Sequence, residues 1–402
     1  MRFSNVSEFV PGTLLKFVSF AGRFVFLLLV LPGLATGQLA QYAFLATLSL
    51  LIARLVAMGL EDHLPLEIRG NRDAADRIMP AYGSLLNLVL ACALVALVSG
   101  ASVPVVLFLA IVYLAQIVLS GVVRSVFPLG YEVLASLHWV LFPGLCLALS
   151  VSSAEGIVGL MAISVLLNQF IVIKMAKLRL ALPSTPFRDL LHLYAPMKNG
   201  WQKCLSGFTT LANMRSLILW PKFLGKSQAI DSLALALLCA EAMWQLGMVV
   251  VNRKYAGFCR GSRTVADRLR DAIESSALLV LAFVCAAVAI YIARPWLGVV
   301  GDFPFQLIAT ATAMFGFAVG YLLLRYFNWS AYGFCWKLVG LEVGLFLSVG
   351  LIVNFSDQSA WVEYALISFG MLYVTALAIT VLDTNRTFDD EWPIEKQDVT
   401  TL

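Results

Sequence analysis

Charge is what this chain has least of. Only 13% of its 402 residues are Asp, Glu, Lys or Arg, while 60% are hydrophobic and the mean hydropathy is +0.87. A soluble surface needs about twice that charged fraction, so a soluble globular fold is excluded. Paired cysteines are lacking as well. The seven present (Cys92, Cys146, Cys204, Cys239, Cys259, Cys285, Cys335) are scattered, with no CxxC. That spacing excludes a disulfide framework and a cysteine metal site, and leaves small buried hydrophobes. His63, His138 and His192 show no ligand spacing, and His138 reads as a packing residue. No dinucleotide fingerprint, Walker A sequence or zinc-protease motif occurs, and no polar stretch is long enough to house one. The expectation is therefore a chain that is not an enzyme, carries no cofactor or metal, and binds no nucleic acid.

What is present is a series of long apolar runs. Runs of about twenty residues fit helices that cross a bilayer, whereas barrel strands would give short alternating ones. The fold class expected is an all-α polytopic membrane protein. Twelve spans are read at residues 12–34, 39–60, 81–98, 103–119, 133–149, 157–173, 205–220, 233–251, 272–291, 305–324, 331–351 and 362–381. The first is a true span and not a leader, because Lys16 and Arg23 lie within it and further spans follow. Residues 174–203 form a basic linker whose apolar residues Phe187, Leu190, Leu191 and Tyr194 recur at helical spacing. This linker is expected to lie in the membrane interface. Residues 383–402 form an acidic, polar tail.

A polar decapeptide organises the spans. Arg69-Gly-Asn-Arg-Asp-Ala-Ala-Asp-Arg-Ile78 recurs as Arg260-Gly-Ser-Arg-Thr-Val-Ala-Asp-Arg-Leu269, with six of ten positions identical at an offset of 191 residues. Both copies follow the second span of a six-span unit, so the chain reads as two lobes, 1–173 and 204–382. An even number of spans per unit makes the lobes parallel repeats about an axis along the membrane normal. With the N-terminus inside, twenty Lys and Arg residues fall on inner segments and three on outer ones. This bias places both termini in the cytoplasm. The two decapeptides are expected in inner loops, their arginines anchoring helix ends to anionic headgroups, or each copy forming a short cytoplasmic helix that gates its lobe.

Charges within the spans are the candidate site, because a charge in hydrocarbon is costly unless it faces water or a partner. Lys16 and Arg23 share one face of the first span, being seven residues apart. Arg54 lies in the second, Arg215 in the seventh, and Lys337 in the eleventh. Together they could line a central cavity for an anionic substrate, arginine suiting phosphate through its planar fork. Snorkelling to headgroups is the alternative for Lys16, Arg54 and Lys337. Glu241 in the eighth span and Glu342 in the eleventh either neutralise these cations or exchange a coupling ion. Asn168 and Gln169 in the sixth are expected to bond neighbouring helices. No nucleotide site is present, so direct ATP use is not expected.

The stretch Leu55-Val-Ala-Met-Gly-Leu-Glu-Asp-His-Leu-Pro-Leu-Glu-Ile-Arg-Gly70 and the order of features from Gly12 to Leu382 resemble the polysaccharide-biosynthesis (Wzx-like) flippases. These belong to the multidrug/oligosaccharidyl-lipid/polysaccharide exporter (MOP) superfamily. The resemblance implies two six-helix lobes around a cavity that opens alternately to either side. It implies an undecaprenyl-pyrophosphate-linked glycan, or a related polyanion, as substrate in a bacterial inner membrane. Lys16, Arg23 and Arg215 would then meet the pyrophosphate or acidic sugars. Anionic lipids, a glycan polymerase and glycosyltransferases are the partners it suggests. A drug exporter of the same fold, or a non-transporting component of a polysaccharide export system, are the alternatives.

Overall fold

The computed structural model describes residues 6–30, 33–34, 37–68, 71–99, 101–180, 186–225 and 336–355, together with residues 234 and 288. Every element among them is helical. The order is α1 (Val6–Val25, continued by a π-turn Phe26–Val30), α2 (Gln38–Ala57), α3 (Leu60–Ile68), α4 (Arg72–Ser99) and α5 (Ser102–Val126). Then follow α6 (Pro128–Ser136), α7 (His138–Leu149), α8 (Ala154–Met175), α9 (Pro186–Leu190, with a 3-10 turn Leu191–Leu193), α10 (Tyr194–Phe223) and α11 (Trp336–Phe355). Five stretches are long and apolar enough to cross a membrane: Gln38–Ala57, Arg72–Ser99, Ser102–Val126, Leu129–Leu149 and Ala154–Met175. These are the expected second to sixth spans. The expected eighth, ninth, tenth and twelfth spans, Glu241, and the second decapeptide lie outside the described residues.

Helix ends follow local chemistry. The chain enters α2 through Gly37 at φ 82, a left-handed conformation that costs glycine little. Ser153 begins α8, its hydroxyl accepting the Gly156 N–H at 3.2 Å. α5 is the pillar of the unit, enclosed by α2, α3, α4, α6 and α8. Gly121 of α5 lets α3 come close, since a Cβ there would lie 2.8 Å from Leu64 Cβ. Where apolar side chains face one another in lipid, such close approach supplies the packing energy that water would otherwise drive.

The first decapeptide is not a loop. Most of it is the start of α4, which the sequence reading began only at residue 81. Asn71 caps this helix, its Oδ1 accepting the Asp73 and Ala74 N–H groups at 2.9 and 3.4 Å. At 1.5 Å per residue the 28 residues of α4 reach about 42 Å, well beyond a hydrocarbon core of about 30 Å. Polar residues there mark where the helix leaves the hydrocarbon, not where it stops. The same holds for α10. Its 30 residues run on into the stretch read as linker, so the helix expected to start at 205 starts at Tyr194. Helix α10 packs on α2 and α3 along one side and on α11 along another.

Candidate functional site

Two helix faces, one on α1 and one on α6 and α7, carry matched polar residues. On α1, Lys16, Ser19 and Arg23 are all buried. On α6 and α7, Glu132, Ser136 and Trp139 recur at the same helical spacing. The two faces meet in register. Lys16 Nζ lies 3.2 Å from Glu132 Oε2, with the lysine side chain 2% exposed. Seven residues further along each helix, the Arg23 guanidinium stands 4.0 Å over the centre of the Trp139 ring. Gly22 allows this approach, because a Cβ there would overlap the Trp139 carbonyl oxygen. That oxygen is one the helix cannot use, since Pro143 four residues on has no N–H to offer it.

The α6–α7 span is held from behind by α8. Asn168 Nδ2 donates to the carbonyls of Val133 and Leu134 at 3.2 and 2.7 Å. A side chain entering the backbone ladder accounts for the turn at Leu137 between the two helices. Gln169 Nε2 donates to the Val112 carbonyl at 3.1 Å and its Oε1 accepts the Tyr82 hydroxyl at 2.8 Å. Both residues bond neighbouring helices, as expected. His138 is buried, with its ring 5.6 Å from that of Trp139, which is a packing position.

A second polar seam joins α10 to α11. The Thr209 hydroxyl donates to the Glu342 carboxylate, and Asn213 Nδ2 donates to the Glu342 backbone carbonyl at 2.7 Å. Glu342 is 3% exposed. Trp220 Nε1 donates to the Phe346 carbonyl at 2.8 Å, and its ring fills the space left at Gly350. Thr209, Asn213, Ser216 and Trp220 thus form one face of α10. Its other face, with Phe208, Leu211, Ala212 and Leu219, packs on Phe44, Leu48 and Leu51 of α2. Arg215 is half-buried. It lies between Ala212 and Leu219, beside the seam with α2.

Arg54 ends α2 and pairs with Glu61 across a break at Met58 and Gly59, both left-handed at φ 44 and 80. The Cys204 thiol of α10 donates to the Arg54 carbonyl at 3.3 Å. Lys337 is the second residue of α11. The structure therefore puts Lys16 and Arg23 between α1 and the α6–α7 span, Arg54 near the end of α2, and Arg215 and Glu342 on α10 and α11. It joins Lys16 to Glu132 and Arg54 to Glu61. Glu132, Trp139, Thr209 and Gly22 were not singled out from sequence. A usable signal existed: Glu132 and Trp139 repeat the seven-residue spacing of Lys16 and Arg23. Among the described residues no group of three or more His, Cys, Asp and Glu side chains is placed to hold a metal ion.

This arrangement of helices matches solved structures over nearly the whole chain. An outward-facing multidrug resistance MATE family transporter of the MOP superfamily superposes with a TM-score of 0.56 at 13% identity, covering 96% of both chains. The fold is that of a MATE transporter. A MATE protein in complex with MaL6 gives 0.57 at 12% identity, covering 95% of this chain and 97% of that one. An inward-facing form of a MATE transporter gives 0.50 at 12% identity, covering 94% and 96%. No protein-family model and no curated protein matches the sequence. The MATE fold is thus carried here by a sequence that shares about one residue in eight with its structural neighbours.

Proposed function

We propose that this protein is a membrane transporter that works by alternating access and moves a lipid-linked oligosaccharide or another anionic glycan across a bacterial cytoplasmic membrane. In this reading it has twelve spans in two parallel six-helix lobes, with both termini in the cytoplasm. It uses no cofactor and performs no chemistry on its cargo. The substrate is an undecaprenyl-pyrophosphate-linked glycan or a related polyanion, supplied by glycosyltransferases and taken up by a glycan polymerase.

The observation that carries the reading is the sign of the charge within the helices. Lys16, Arg23, Arg54, Arg215 and Lys337 stand against Glu342 among the described residues of the spans read above, with Glu132 one residue ahead of the fifth. Arg215 is the residue best placed to meet cargo. It is a guanidinium beside the seam where α10 meets α2, the surfaces that must part when the lobes separate. Arginine there matches the paired oxygens of a phosphate. Lys16 is neutralised by Glu132 and supports α1 more than it attracts a substrate. Glu342, held by Thr209, is the coupling candidate on the described helices. Glu241 is the other.

A strain lacking the protein should accumulate a lipid-linked glycan in the inner leaflet and lose surface polymer. Arg215→Ala, and to a lesser degree Arg23→Ala, should cut transport at an unchanged amount of membrane-inserted protein. Normal leaflet distribution in the deletion strain would overturn the reading. The second reading is a drug exporter, favoured by the multidrug resistance named for two of its structural neighbours. It predicts drug sensitivity in the deletion strain with normal surface polymer.

A further inference from the structure

Residues 186–201, ahead of α10 and in its first turns, have one face packed inward and one exposed. Leu193 is buried, and Leu190 and Met197 are partly so, against the cluster that holds Ile78 and Met79 of α4. The first turns of the decapeptide helix are thus the platform on which this segment rests. The opposite face carries Arg188, Leu191, Tyr194, Lys198 and Trp201. Steps of three and four residues put them on one line, because α9, the 3-10 turn and α10 follow one another without a gap. All five are exposed. Leu191 is 67% exposed and Tyr194 64%. Just before them, at the end of α8, Lys174, Lys177 and Arg179 are exposed beside Met175 and Leu180.

We propose that the exposed Arg188–Leu191–Tyr194–Lys198–Trp201 face is a docking strip for anionic phospholipid headgroups on the cytoplasmic leaflet, and that it straps the junction between the lobes to the membrane. It deepens the function proposed above and rests on the membrane orientation assumed there. The occupant follows from the alternation of cation and apolar or aromatic side chain. A protein groove would take an apolar stripe and leave charges at its rim. A headgroup layer takes both together, phosphates meeting Arg and Lys while Leu, Tyr and Trp enter the boundary of the acyl chains. Three further basic residues at the end of a membrane span add to the attraction.

The test is peptide-resolved hydrogen exchange of the full-length protein in nanodiscs of phosphatidylcholine with and without phosphatidylglycerol. Residues 186–203 should exchange at least about fivefold more slowly with the anionic lipid, the factor that one basic residue near such a surface supplies. Arg188→Gln with Lys198→Gln should remove most of that difference, and Leu191→Ser with Trp201→Ser should slow exchange less in both discs. Residues 72–99 serve as the folding control for both variants. Equal exchange of the wild-type segment in the two discs would overturn the proposal, and needs no variant. Protection seen in native membranes but absent in purified nanodiscs would overturn it too, by giving the face to a protein partner. Transport is not measured, so this failure is separable from failure of the flippase reading.

Discussion

At the residue scale, the packing of α1 on α6 depends on a pair of charges taken out of water. Lys16 and Glu132 offset each other's burial, with the lysine side chain 2% and the glutamate 16% exposed. Glu132→Gln should leave Lys16 without its counter-charge and lower stability by about 3 kcal/mol, read from unfolding in detergent. Replacing both, Lys16→Met with Glu132→Leu, should recover most of that loss. A Glu132→Gln protein as stable as wild type would show that the pair contributes nothing. Gly22 makes a sharper prediction. A methyl group there meets a backbone carbonyl, which cannot swing aside as a side chain would. Gly22→Ala should cost about 2 kcal/mol through forced separation of α1 and α7. The charged residues of this seam were visible in the sequence as unusual. Their partners were not, because Glu132 sits at the edge of an apolar run where an acid attracts no notice.

At the element scale, the apolar runs found every described span, and their ends were where the reading failed. It ended helices where polarity began, at residue 79 before α4 and at residue 203 before α10. The helices instead continue past the hydrocarbon, where solvent and neighbouring segments satisfy polar side chains. Arg72 shows how. Its guanidinium donates to the Ala176 carbonyl at 2.8 Å, closing the end of α8 from the start of α4. The break after α2 also went unread. Glycine is at home at Gly59, but Met58 adopts a left-handed conformation at φ 44 that disfavours a residue with a Cβ. Met58→Gly should therefore raise stability by about 1 kcal/mol. A loss of stability would show that packing of the Met58 side chain outweighs the strain.

At the scale of the whole molecule, α10 faces both ways, toward α2 and toward α11. One side binds Glu342 and Phe346 of α11, and the other buries Ala212 and Leu219 against Leu51 of α2. The contact with α2 runs from Cys204 at the Arg54 end to Phe223, whose ring meets that of Phe44 at 5.6 Å. If the lobes separate during transport, joining Leu51→Cys to Ala212→Cys with a short bifunctional maleimide should stop transport. The singly substituted proteins, treated alike, should keep it. Full activity of the cross-linked protein would mean that the α2–α10 seam does not open.

The sequence by itself determined the solvent this chain lives in and the class of its fold. Long apolar runs must bury their backbone polar groups in helices when no water is available, and that argument needs no partner. The N-cap at the start of α4 is local too, although the reading passed over it. The pairing of charges depended on tertiary structure. Lys16 and Glu132 are 116 residues apart, and only the packing of α1 against α6 decides that one neutralises the other. The same holds for Thr209 with Glu342. A charge in a membrane helix announces that it needs compensation, but what compensates it is settled by which helix lies next to it.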